Sequence, residues 1–97
     1  MSRELRLERD LTGHGPKDHE GAGRWAKWLV VDVDTGATVG LVVEDREWLG
    51  SNYGPSTYDA GHNPTGEAFE ALWVSKEHPT PAAALEALAD HLARLHP

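Results

Sequence analysis

The sequence predicts an α+β domain: a small antiparallel sheet of three to four strands, in β-β-β-β-α order, with one C-terminal helix packed on one face. Three observations carry the prediction. Residues 25–44 read as strand, tight turn and strand; residues 3–11 alternate with period two; residues 80–95 repeat leucine at helical spacing. A sheet with one apolar face and a helix with one apolar stripe bury each other.

The first strand is read from Arg-Glu-Leu-Arg-Leu-Glu-Arg-Asp-Leu at 3–11. Leu5, Leu7 and Leu11 face one way, while Glu4, Arg6, Glu8 and Asp10 face the other. Period two outweighs the helical preference of Leu, Glu and Arg taken singly. Residues 12–23 hold several glycines, a proline and mixed charge, and read as a flexible loop.

The hairpin follows. Trp25, Leu29, Val31 and Val33 share one parity, Val39, Leu41 and Val43 share one parity on the return, and Asp34-Thr35-Gly36-Ala37 supplies the turn. Those residues form the expected buried face. The second face is mixed: Ala26, Trp28, Val30, Asp32 and Asp34 opposite Thr38, Gly40, Val42 and Glu44. Trp28 and Val30 on that side need either a covering element or exposure as an apolar patch.

Residues 49–66 are rich in turn formers and show no hydrophobic period, so they read as a second flexible loop. A structureless loop of that length is uncommon in a compact domain and is usually functional or disordered. Glu67 to Ser75 reads as an interior strand, with Phe69, Ala71 and Trp73 on one face and Leu72 and Val74 on the other. Thr80 is a good N-cap and Pro81 suits the first helical position, where its missing N–H costs nothing. Leu85, Leu88, Leu92 and Leu95 form the stripe, and alanines fill much of the rest.

Ninety-seven residues make one domain, 1–97. No run approaches the ~18 apolar residues of a membrane span. The first residues lack an apolar signal-peptide core, so the expected location is the cytoplasm. The chain has no cysteine, which excludes disulfides, thiolate nucleophiles and Cys-based zinc sites. The formal charge is −7, and all of the excess lies in residues 25–97, because five basic and five acidic residues cancel in 1–24. A net-negative chain repels phosphate, so binding to a nucleic-acid backbone is disfavoured.

The chemistry-bearing side chains fall into no recognised catalytic pattern. Six histidines invite a metal, and His14, Asp18 and His19 share one loop, but the spacings match neither H-E-x-x-H nor a finger. His91 and His96 are badly spaced for one helix face, His62 and His78 stand isolated, and no metal or cofactor is expected. Ser51, Ser56, Thr57, Ser75 and Thr80 lie outside any G-x-S-x-G setting. Paired carboxylates such as Glu44 and Glu47 read as solvated rather than as acid–base catalysts. The chain is therefore expected not to be an enzyme.

Two features point to binding. Trp48, Tyr53 and Tyr58 lie among Gly, Ser and Asn, the composition of adaptable recognition loops. Asp32, Asp34, Glu44, Asp45 and Glu47 make the hairpin acidic, with Asp32, Asp34 and Glu44 on one side by alternation. Together they predict a small acidic module that binds another protein, one with a basic surface. A sharper version is a phage-type inhibitor that mimics nucleic acid before a nucleic-acid-binding enzyme. A third reading is weak nucleic-acid binding through Arg3, Arg6, Arg9 and Arg24, beside Lys27 and Trp28, although Glu4, Glu8 and Asp10 interrupt that row.

Overall fold

A computed structural model of the chain describes residues 4–10, 26–47, 49–52, 54–63 and 71–95. The 12–23 loop, Arg3, Arg24 and the His14, Asp18, His19 group lie outside the described residues, as do Trp25, Trp48, Tyr53, Phe69 and His96. The elements are β1 (Leu5–Arg9), β2 (Lys27–Asp32), β3 (Thr38–Asp45), β4 (Thr57–His62), β5 (Leu72–His78) and α1 (Pro81–Leu95). The strands form one sheet in the order β1-β2-β3-β4-β5, every neighbouring pair antiparallel. The class is the expected α+β, with five strands rather than three to four.

The additional strand is β4, which falls inside the stretch expected to be a long loop. Thr-Tyr-Asp-Ala-Gly-His has no apolar alternation because its neighbours supply the volume. A Cβ at Gly61 would stand 3.2 Å from Leu41 Cδ2 and 3.2 Å from Trp73 Cε3. Tertiary context overrides local propensity here. β5 differs in another way: among the described residues it pairs with β4 alone, so it is an edge strand, and Leu72 is 62% exposed.

Helix α1 begins as its cap residues dictate, with the Ala83 N–H donating to Thr80 Oγ1 at 3.1 Å. Ala84, Leu88 and Leu92 are buried against Val30, Val42 and Ala60 of the sheet. Trp28, Val39 and Tyr58 pack around that cluster. The helix therefore covers the mixed face of the hairpin, and Trp28 and Val30 find their cover there. The other face is buried as well, since Val31, Leu41 and Val43 are at most 3% exposed. Both faces of the central strands are thus core, while Val33 is exposed. A register shift between Val30 and Val31 makes Val39 an extra residue, which carries it out of parity with Leu41 to the helix side.

Candidate functional site

The acidic residues of the hairpin do not form one surface. Asp32 ends β2 at the turn, where its carboxylate accepts the N–H groups of Asp34 (2.9 Å) and Thr35 (3.3 Å). That is turn chemistry, and Asp32 is buried. Asp34 is exposed in the turn. Glu44 lies at the opposite end of the hairpin, about 20 Å away at the rise of a strand. There the backbone N–H of Glu44 donates to Ala26 O.

Glu44 is a connecting residue. Its carboxylate accepts hydrogen bonds from the Ser56 hydroxyl (2.5 Å), the Ala26 N–H (3.1 Å) and the Arg46 guanidinium (2.9 Å). It thereby ties β2 and the approach to β4 onto β3. Burial pushes the carboxyl up, but the bonds from Ser56, Ala26 and Arg46, with the charge of Arg46, outweigh burial and hold it below the ordinary glutamate value. Tyr58 also has an internal partner. Its ring meets Trp28 edge to face with centroids 5.9 Å apart, and both rings pack on the core cluster. Tyr58 is a half-buried strand residue rather than a free loop aromatic.

Asp45 and Glu47 face elsewhere. Asp45 pairs with Thr57, in step with Val43 and Asp59, on the sheet face away from the helix. Together with Pro55, Thr57 and Glu77 they line a cleft of about 370 Å³. Glu77 on β5 had not been picked out from the sequence. It adopts a left-handed backbone with φ of 64°, and its N–H donates to the buried Asp59 carboxylate at 2.9 Å. One residue of β5, one at the end of β3 and one just beyond it therefore bring carboxylates to a single concavity. No basic side chain lines it among the described residues.

The basic residues near β1 have partners within the chain, although Arg6 and Arg9 stay exposed. Arg6 pairs with Glu8 at 3.3 Å. Arg9 donates to Lys27 O at 2.9 Å, and its guanidinium carbon lies 5.4 Å from the Trp28 ring centre. Lys27 is 4% exposed and pairs with Asp10 at 3.5 Å.

Two histidine arrangements run against the sequence expectation of isolated residues. His62 of β4 and His91 of α1 meet edge to face with ring centroids 5.8 Å apart. His91 Nε2 is buried without a hydrogen-bond partner. His78 Nε2 lies 2.5 Å from Ser75 Oγ, so Ser75 does stand beside a base. Among the described residues, no group of three or more His, Asp or Glu side chains is placed to hold a metal ion, and no helix is long and apolar enough to cross a membrane. Comparison of the chain with known protein families, characterised proteins and solved structures gives no match.

Proposed function

We propose that this chain is a binding module of the cytoplasm, and that its acidic cleft receives a basic segment of another protein. The observation that supports this reading is the convergence of Asp45, Glu47 and Glu77 on one concavity. The formal charge of −7 adds a long-range attraction that speeds encounter with a cationic partner. The distribution of arginines supports the choice of protein over nucleic acid. Arg6 and Arg46 each pair with a neighbouring carboxylate, Arg9 is held against Lys27 O and the Trp28 ring, and the net charge of −7 opposes a phosphate backbone.

The reading narrows the acidic edge expected from sequence. Asp32 and Glu44 serve the fold through their hydrogen bonds, and Asp34 lies at the distant turn, which leaves Asp45 and Glu47 as the hairpin's contribution to recognition. Charge reversal tests it. Asp45→Lys with Glu47→Lys abolishes partner binding and leaves the far-UV circular dichroism unchanged, whereas Asp34→Lys leaves binding intact. Equal binding by all three proteins overturns the assignment. If duplex nucleic acid competes for the same partner, the cleft acts as a phosphate mimic.

A further inference from the structure

Residues three apart on a regular strand point to opposite faces and stand about 10 Å apart at 3.3 Å per residue. Ser75 and His78 instead share a hydrogen bond of 2.5 Å. The cause is a bulge. Tyr58 pairs with His78 and Ala60 pairs with Ser75, so β5 spends one more residue than β4 between the two pairs. The surplus is absorbed at Glu77, whose positive φ is a conformation usually left to glycine. The buried carboxylate of Asp59 holds the kink by accepting the Glu77 N–H. Ser75 and His78 thus project from the same face of the sheet. Strain of this kind in a non-glycine residue concentrates at functional sites.

Ser75 also opens onto space. It lines a cleft of about 230 Å³ between β5 and α1, together with Val74, Ala87, Asp90, His91 and Arg94. His78 is not among the lining residues and meets the cleft through its hydrogen bond to Ser75 Oγ. A hydroxyl within hydrogen-bond reach of an imidazole is the pairing of a nucleophile with its base.

We propose that Ser75 is a nucleophile activated by His78, and that the cleft between β5 and α1 accepts a small uncharged ester. Ser75 Oγ attacks the carbonyl carbon and the Oγ–C bond forms as the hydroxyl proton passes to His78 Nε2. The tetrahedral oxyanion lies in a cleft that Arg94 supplies with positive charge. Its collapse breaks the ester C–O bond, and the proton moves from His78 to the departing alcohol. Water, deprotonated by the same imidazole, then cleaves acyl-Ser75 and returns the free hydroxyl and a carboxylic acid. Asp90 on the cleft wall disfavours an anionic acyl group. The assignment stands apart from the acidic cleft, which Ser75 does not line.

The test is covalent labelling of the full chain with a fluorophosphonate, which phosphonylates an activated serine with loss of fluoride. The expected result is one adduct, located by peptide mass spectrometry on Ser75 and missing from Ser75→Ala. Loss of general-base help in His78→Gln slows labelling by about 100-fold or more. The position of the adduct in the unsubstituted chain is a readout that needs no variant to fold. Failure to label Ser75, or a labelling rate that His78→Gln leaves unchanged, overturns the proposal.

Discussion

Leu88 reaches the sheet because residue 40 has no side chain: a Cβ at Gly40 would stand 2.8 Å from Leu88 Cδ2. Gly40 lies in β3 opposite Val30 and His62, at the middle of the surface that α1 covers. The helix can settle there only if the strand beneath offers no bulk.

A Cβ at residue 40 also collides with the Gly61 carbonyl oxygen of β4, so Gly40→Ala strains both the sheet and the helix contact and destabilises the domain by about 3 kcal/mol or more, the upper end of overpacking costs. Leu88→Ala costs about 2–5 kcal/mol by leaving a cavity in the same place. Chemical denaturation of each variant checks both values, and the double variant recovers only the part due to Leu88, because the collision with the Gly61 carbonyl remains.

Tyr58→Ala lowers stability by about 3 kcal/mol or more, since the ring packs on the core cluster. A double-mutant cycle with Trp28→Ala isolates a coupling of about 0.5–1.5 kcal/mol for the edge-to-face pair. Unfolding curves supply all four corners of the cycle. Were Tyr58 a free recognition residue, its replacement would leave the curve unmoved.

Glu44 makes stability depend on pH. Its carboxyl is held below the ordinary glutamate value in the folded chain, so the folded state binds the proton more weakly than the unfolded one. Its stabilisation is fully present above the unfolded value and is lost as the pH falls through the folded value. Glu44→Gln is less stable than the parent at neutral pH, by about 1–3 kcal/mol for hydrogen bonds to a charged group. The gap between the two proteins closes as the pH is lowered through the carboxylate range, which denaturation at a series of pH values measures.

Glu77→Gly relieves the left-handed backbone and raises stability by about 1 kcal/mol, whereas Glu77→Val, with a β-branched side chain, lowers it. Thermal unfolding distinguishes the two directions. Glu77→Gly also removes one carboxylate from the acidic cleft, so it weakens partner binding while stabilising the fold.

The hairpin, the first strand and the capped helix were legible in the sequence because each is built from local periodicity and turn chemistry. Thr80 caps α1 through the Ala83 N–H, as its position before Pro81 implied. β4 was not legible: Gly61 fits beneath Leu41 and Trp73 while Ala60 meets the helix on the other face, and no short window contains that information. The same limit applies to the sites. Asp45 and Glu47 were visible as acidic residues, but Glu77 joins them only because β5 lies two strands from β3 and kinks at that residue. Strand parity, however, did not reveal that Glu44 spends its carboxylate on Ser56, Ala26 and Arg46. Ser75 and His78 are close in sequence, yet the regular alternation of a strand argues against their meeting until the bulge is known.

The most direct test of the central claim is parallel affinity capture from a lysate of the chain's own host, with the parent, Asp45→Lys/Glu47→Lys and Asp34→Lys as baits. The account predicts one basic protein that the parent and Asp34→Lys retain at low salt and release at high salt, and that Asp45→Lys/Glu47→Lys does not hold. A partner retained equally by all three baits, or one that high salt fails to release, would contradict it.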